Sequence, residues 1–339
     1  MDAENILVIH GANDGLFDVA GESVGTVQVS LTDAFNIPTE AKAFVNGEQV
    51  EGSYRLKGNE TLEFCKQEGE KGGSSFIRYP GGKWNHRRPI IESLEPFLKA
   101  NIQYREPFFG GGGIGLELLQ SGLISSVWIN DKDTAMAALW TAVIRYPGDL
   151  QSLVMSFVPS PNAFHDFRRE LRCLNGIPAR REEQVKYGFM KLALHQMSFS
   201  GLGLKSGGPL TDIDSRWSPK HICGKIDSIQ RDFSSVSVKG NACSSLDFEH
   251  LIDDDNGLLY LDPPYYKQGA ALYKYAFSAH DHERLAALLY RRTAPWLLSY
   301  DDCPEIRSLY GWARIENVPV NYSITSARIR NELLISPRR

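Results

Sequence analysis

The sequence of 339 residues has no long apolar run and few cysteines. No stretch approaches the roughly 20 apolar residues that a membrane-spanning helix requires, and Asp2 and Glu4 carry the wrong charge for a secretory signal. The five cysteines are scattered and never form a Cys-x-x-Cys pair, which argues against a disulfide framework and a zinc site. His280-x-His282 is interpreted as a solvated helix start. We therefore expect a cytoplasmic protein with no membrane segment and no metal.

Charge is distributed unevenly along the chain, although the composition is that of a globular protein. The net charge is −4 and charged residues make up 23%. Residues 1–75 contain 13 acidic and 5 basic residues, whereas residues 76–339 contain 28 acidic and 32 basic ones. A basic body permits contact with nucleic-acid phosphates without requiring it. The acidic leader is unfavourable for direct contact with DNA.

A polar, glycine-rich linker near residue 75 indicates a domain boundary. The residues before it predict a small β-rich domain, with strands at 6–9, 26–31 and 61–65 and a hairpin around Asn46-Gly47. The hairpin and last strand resemble a ubiquitin-like (β-grasp) module, and an unrelated β-rich appendage is the alternative. This domain is interpreted as a protein-docking module or as a solubilising fusion.

Residues 76–339 predict a different architecture, in which strands and helices alternate. Such alternation is typical of a parallel sheet covered on both faces, so the fold class is α/β and Rossmann-like. Residues of about 140–240 lack the alternation and predict a mostly helical insert. The predicted strands are 102–106, 127–130, 258–261, 296–300 and 332–335, and the predicted helices include 89–98, 114–120, 185–197 and 282–292.

A glycine loop, Glu106-Pro-Phe-Phe-Gly-Gly-Gly-Gly-Ile-Gly115, follows one predicted strand and opens a helix. Gly110, Gly112 and Gly115 match a dinucleotide fingerprint, and Asp131 stands where an acid would hydrogen-bond ribose hydroxyls. The loop alone does not distinguish NAD from S-adenosylmethionine, since both present an adenosine. The pyrophosphate of NAD needs a helix N-terminus, whereas S-adenosylmethionine needs a partner for its carboxylate.

Two further motifs favour methyl transfer. Pro80-Gly-Gly-Lys83 lets the backbone approach a small ligand and directs a lysine inward. Asp262-Pro263-Pro264-Tyr265 follows a buried strand and would face the ligand crevice. The Asp262 carboxylate and the Pro263 carbonyl can each accept a hydrogen bond from one N–H of an adenine amine. These two hydrogen bonds free the lone pair of the nitrogen for attack on a methyl group. Tyr265 offers a face on which an extruded base can stack.

Along the chain, the Lys83 turn comes first, followed by the glycine loop, Asp131 and Asp262–Tyr265. Motifs in this order resemble the Dam-like (α-type) DNA N6-adenine methyltransferases over residues of about 76–336. The resemblance implies S-adenosyl-L-methionine as cofactor and double-stranded DNA as substrate. Tyr79 and Lys83 would contact the methionine part and Asp247-Phe248 the adenine. The implied cofactor-binding residues are Tyr79, Lys83, Phe108, Phe109, Gly110, Gly112, Asp131, Asp247, Phe248 and Asp262, and the implied catalytic residues are Asp262, Pro263, Pro264 and Tyr265. Tyr79 departs from the pattern, because relatives often have Trp there.

The basic residues of the insert are the candidates for DNA binding. Most would contact phosphates, and two or three would read bases; for each of those within residues 168–181, a solvated helix face is the alternative. They are Arg168, Arg169, Arg172, Arg180, Arg181, Lys205, Arg216, Lys220 and Lys225.

Three other functions remain compatible with parts of the sequence. An RNA N6-adenine methyltransferase would use the same motifs. An NAD-dependent oxidoreductase explains the glycine loop but not Asp262–Tyr265. A non-catalytic DNA- or partner-binding module would predict a damaged catalytic set, and none of the key positions is damaged.

Overall fold

The computed structural model divides into two compact units. One comprises Met1–Gly72 with Pro319–Arg330, and the other Gly73–Val318 with Asn331–Arg339. The structure describes residues 6–10, 13–35, 37, 41–46, 48–65, 77, 83, 87–98, 102–176, 178–198, 203–206, 208–210, 212–253, 255–267, 275–322 and 328–338.

The N-terminal unit is a five-stranded sheet in the order β2-β1-β5-β3-β4 with one helix after the first hairpin. Strand β1 runs parallel to β5, whereas the β1–β2, β3–β4 and β3–β5 pairs are antiparallel. Its core includes the fully buried Ile6, Val8, Val24 and Leu62. The elements are β1 (Ile6–His10), β2 (Asn13–Phe17), α1 (Val24–Phe35), β3 (Lys42–Val45), β4 (Glu48–Val50) and β5 (Thr61–Cys65).

The strand predicted at residues 26–31 is wrong, because this segment belongs to α1. The Ser23 hydroxyl accepts the Thr26 N–H at 3.1 Å, as a helix N-cap does. Val24 and Val27 are buried three residues apart on one helix face, whereas Val29 is 78% exposed. The hairpin around Asn46 is confirmed, since Val45 pairs with Glu48 across a two-residue connection.

A seven-stranded sheet in the order β11-β12-β10-β9-β6-β7-β8 belongs to the second unit, apart from the ends of β11 and β12 that fall within Pro319–Arg330. The pairs from β10 through β9, β6 and β7 to β8 are all parallel, and β12 pairs antiparallel with β10. This arrangement confirms the predicted Rossmann-like α/β fold class. The strands are β6 (Gln103–Glu106), β7 (Ser126–Ile129), β8 (Ser237–Val238), β9 (Leu258–Leu261), β10 (Trp296–Asp301), β11 (Arg314–Tyr322) and β12 (Arg328–Ser336).

Helices supply the rest of the second unit. The segment of about 140–240 contains the second half of α4 and all of α5, α6, α7 and α8. Helices α4 and α7 pack closely, because a Cβ on Gly188 would lie 2.7 Å from the Leu139 Cα. The helices are α2 (Arg87–Leu94), α3 (Gly113–Gln120), α4 (Thr134–Arg145), α5 (Pro147–Ser156), α6 (Pro161–Cys173), α7 (Arg181–Met197), α8 (Pro219–Ser234), α9 (Glu249–Ile252), α10 (Ala279–Arg291) and α11 (Pro304–Leu309). Of the helices in the described ranges, none is long and apolar enough to cross a membrane.

Candidate active site

A cavity of about 240 Å³ lies in the second unit, where the loops after β6, β7 and β9 meet. These loops follow the carboxyl ends of parallel strands, which is where open α/β sheets bind ligands. The cavity collects many of the predicted site residues into its wall: Lys83, Phe108, Phe109, Gly110, Gly112, Asp131, Asp247, Phe248, Asp262 and Pro264. Tyr79 lies outside the described residues.

The glycine loop is held in one conformation by buried hydrogen bonds. Gly112, the N-cap of α3, has φ +70°, and a Cβ there would lie 2.8 Å from the Phe109 ring. Glycine is therefore required at this position. The Gly110 N–H donates to Asp131 Oδ2 at 2.8 Å, and the Trp140 indole donates to the Gly110 carbonyl at 2.8 Å.

Asp131 is a buried anchor of this loop. Its Oδ1 accepts the Asp133 N–H at 2.8 Å, so both carboxylate oxygens accept a backbone N–H. Burial raises the pKa of Asp131 to about 7, and Asp133 adds to the increase, while the two N–H donors and Lys191 oppose it. The predicted hydrogen bond to a ribose remains a proposal.

Three phenylalanine rings line the other side of the cavity. The ring centroids of Phe108, Phe248 and Phe277 lie 5.2–5.8 Å from one another. The Arg284 guanidinium lies 4.7 Å from the centroid of the Phe248 ring and is 3.3 Å from Asp247 Oδ1. These rings offer flat apolar faces for an aromatic ligand.

Phe277 was missed by the sequence reasoning, although a signal for it exists. Ser278 and Asp281 form a capping box at the start of α10. Phe277 precedes this cap and packs on His282 at 5.2 Å between ring centroids, the arrangement of a hydrophobic staple. The interpretation of His282 as solvated is wrong, since His282 is buried and hydrogen-bonds Tyr300.

Lys83 lies between two carboxylates in the interior. It is 3% exposed, and its Nζ is 3.2 Å from both Asp262 Oδ1 and Glu332 Oε1. The Tyr265 hydroxyl also contacts the Nζ. Burial opposes the lysine charge, but Asp262 and Glu332 keep the Lys83 pKa above its usual value. Glu332 lies on β12, and the sequence did not predict it as a site residue. The signal that could have identified it is a single acidic residue directly before an apolar run.

Asp262 is positioned directly after β9. Its Oδ1 accepts the Ser299 hydroxyl at 2.9 Å. Burial raises the pKa of Asp262 to about 6. Lys83 lowers this pKa and Glu332 raises it, so the two charges partly offset each other. The residues after the motif are also fixed, since Asp301 accepts the N–H groups of Tyr266 and Lys267 at 3.0 and 3.2 Å.

Glu106 is a further buried carboxyl group in the cavity wall. Its Oε2 accepts the Tyr104 hydroxyl at 2.7 Å, and burial raises its pKa to about 8. Glu106 is therefore largely protonated at neutral pH, and the carboxylates that pair with Lys83 are Asp262 and Glu332. Over the described residues, no group of three or more His, Cys, Asp and Glu side chains could hold a metal ion.

The predicted DNA-binding residues lie on the insert, and several of them are exposed, unlike the buried charges around Lys83. Arg169 pairs with Asp166 at 2.6 Å, Arg181 with Asp149 at 2.6 Å, and Arg180 with Glu183 at 4.0 Å. These pairs are exposed, and exposed ion pairs contribute little stability. Arg168 packs against Phe164, Arg216 donates to the Ser198 carbonyl, and Lys205 and Lys220 are exposed. Their role in DNA binding stays a prediction.

Comparison with protein-family models identifies a family for most of the chain. Residues 79–324 match the model of the family described as D12 class N6 adenine-specific DNA methyltransferase. A search of curated proteins finds no match. The matched region spans well over half of the chain and includes the glycine loop, the cavity and the insert, and the match confirms the resemblance stated from the sequence.

Proposed function

Because the chain belongs to the D12 class N6 adenine-specific DNA methyltransferases, we propose that it transfers a methyl group from S-adenosyl-L-methionine to N6 of an adenine flipped out of double-stranded DNA. The observation that carries this proposal is the position of Asp262, whose carboxylate faces an acidic cavity with an aromatic wall. Hydride transfer with NAD would leave this arrangement without a use.

The residues of the cavity fit S-adenosyl-L-methionine. Phe108, Phe248 and Phe277 offer apolar faces to its adenine, and Asp131 offers carboxylate oxygens to its ribose. We assign Lys83 to its carboxylate, while the carboxylates that pair with Lys83 suit its ammonium and sulfonium. When bound, the cofactor supplies an electrophilic methyl group.

Asp262 and Pro263 are the residues that we assign to activation of the adenine amine. Its lone pair is delocalised into the ring, so the nitrogen is a poor nucleophile. A hydrogen bond from one N–H to the Asp262 carboxylate and another to the Pro263 carbonyl would draw the nitrogen toward tetrahedral geometry. Asp262 performs this role when ionised, and its pKa of about 6 leaves it mostly ionised at neutral pH.

DNA must be distorted before this chemistry can occur. The target amine is buried in the base stack, and extruding the base costs a few kcal/mol. Tyr265, which follows the two prolines, offers a ring beside the Lys83 ammonium. The exposed arginines and lysines of the insert would hold the phosphates, and their neighbouring carboxylates are weak competitors for them.

A methylation assay with defined substrates tests the proposal. The purified chain is incubated with S-adenosyl-L-methionine and an unmethylated DNA duplex, or with RNA of the same sequence, and the modified nucleosides are identified by mass spectrometry. We expect N6-methyladenine in the DNA. Methylation of RNA alone, or of cytosine, would contradict the proposed substrate.

We also propose that residues 1–75 form a separate β-grasp-like domain that docks a protein partner. Support comes from the sheet order β2-β1-β5-β3-β4 with a parallel central pair and a helix after the first hairpin. A pull-down with residues 1–75 deleted from the full chain tests the docking role: a partner captured equally by both proteins would contradict it.

A further inference from the structure

Helix α7 runs from the surface of the insert into the interior of the second unit. Arg181, at its start, is exposed, whereas Lys191 is 4% exposed. The ten residue steps from Arg181 to Lys191 span about 15 Å of helix. Gly188 faces α4 on this path, and its missing side chain lets the two helices approach closely.

A continuous series of polar contacts connects Lys191 with the glycine loop. The Lys191 Nζ donates to Asp133 Oδ2 at 2.8 Å. The Asp133 N–H donates to Asp131 Oδ1 at 2.8 Å, and the Gly110 N–H donates to Asp131 Oδ2 at 2.8 Å. Asp133 Oδ1 also accepts the Ala135 N–H at 3.0 Å and so caps α4. All these groups are buried, so a charge left without its partner would be strongly unfavourable.

We propose that Lys191 is a positioning residue for the cofactor-binding loop and acts on it through Asp133 and Asp131. The inference rests on the proposed function, since it takes the cavity to be the S-adenosyl-L-methionine site. It assigns to the insert, which carries the candidate DNA-binding residues, a second role in shaping the cofactor site. Asp131 and Asp133 line the cavity, and Lys191 supplies the positive charge opposite them.

The electrostatics of Asp131 give this role a distinct signature. The charged or titratable groups near Asp131 are Asp133, Lys191, Glu106 and Cys243. Lys191 opposes the increase that burial and Asp133 cause in the Asp131 pKa. Removal of Lys191 therefore raises this pKa further, and Asp131 becomes protonated at a higher pH. A protonated Asp131 is a weaker acceptor for the Gly110 N–H.

Calorimetric titration of the full chain with S-adenosyl-L-methionine between pH 6 and 9 tests the proposal. The variants are Lys191→Met, Asp133→Asn and the double variant, with Lys186→Met as the matched control. Lys186 lies on the same helix, is exposed and pairs with Glu170. We expect Lys191→Met to bind at least tenfold more weakly at pH 7, with its affinity recovering at a higher pH than in the wild type. Lys186→Met should stay within twofold of the wild type.

The Asp133→Asn background distinguishes positioning from general damage. Asn keeps the helix cap, and the double variant removes both the charge that raises the Asp131 pKa and the charge that lowers it, so its affinity should stay within threefold of the wild type. An equal loss in both backgrounds, or an unchanged affinity and pH dependence in Lys191→Met, would overturn the inference while wild-type binding keeps the proposed function intact. A wild type without affinity would remove both. If circular dichroism shows that Lys191→Met does not fold, the affinities of Asp133→Asn and of the double variant are compared instead, with the same threefold criterion.

Discussion

The cavity and the surface of the insert use charge in opposite ways. Lys83, Asp262 and Glu332 form a buried cluster in which one cation serves two carboxylates. Arg169, Arg180 and Arg181 of the insert instead form exposed ion pairs, such as that of Arg181 with Asp149. A buried charge depends on each partner, whereas an exposed one is screened by solvent and salt. Single substitutions should therefore have large effects in the cavity and small ones on the insert.

The largest effect is expected for Asp262→Ala. Loss of the carboxylate removes one of two acceptors for the target amine, so methyl transfer to DNA should fall by about 100-fold or more, the range for a positioned catalytic group. The measurement is single-turnover transfer of labelled methyl groups at saturating cofactor. Asp253→Ala, an exposed acid on the same chain segment, is the control. Substantial activity in Asp262→Ala would exclude this residue from the chemistry.

Lys83→Met should be next in size. It leaves Asp262 and Glu332 without their shared cation, which lowers the free energy of unfolding by about 3–5 kcal/mol. It also removes the cation assigned to the cofactor carboxylate. We expect a much larger dissociation constant for S-adenosyl-L-methionine by calorimetry and a lower denaturation midpoint. An unchanged dissociation constant in a folded variant would refute the assignment of Lys83.

The pH dependence of activity should identify Asp262 within the cluster. The pKa of about 6 lies above the ordinary value, so activity should decline as the pH falls through 6 and the carboxylate gains a proton. Glu332 contributes to this increase, so Glu332→Gln should move the acidic limb to lower pH. Ser299→Ala should move it to higher pH, because the Ser299 hydroxyl stabilises the ionised form. If none of these variants shifts the pH at which activity declines, the decline belongs to another group.

The smallest effect is expected for single arginines of the insert. Arg181→Ala should weaken DNA binding only a few-fold and reduce the slope of log affinity against log salt by about 1 if it contacts a phosphate. Arg88→Ala is the control, since Arg88 forms an exposed pair with Glu92 on α2. Equal salt slopes in both variants and the wild type would remove Arg181 from the DNA interface.

Local sequence signals predicted much of the fold. The strands at 61–65 and 258–261 were predicted with the bounds that β5 and β9 have. The error at residues 26–31 arose because Val27, Val29 and Leu31 satisfy an alternating pattern, while the Ser23 cap and the burial of Val24 favour a helix. Short patterns of this kind fit both periods, and packing decides between them.

The candidate site was only partly predictable for a different reason. Lys83, Asp262 and the glycine loop stand in recognisable local motifs. Glu332 and Lys191 reach the same region from β12 and α7, and no local motif connects either residue with it. Only the order of strands in the sheet brings Glu332 beside Lys83, because β12 pairs with β10 next to β9.

The close approach at Gly188 has a mechanical consequence. With less room than a methyl group between the backbones of α7 and α4, the insert has no clearance there to swing as a hinged arm. We therefore expect the enzyme to meet the double helix as a preformed rigid surface. The nucleic acid, rather than the protein, would then undergo most of the deformation during target selection.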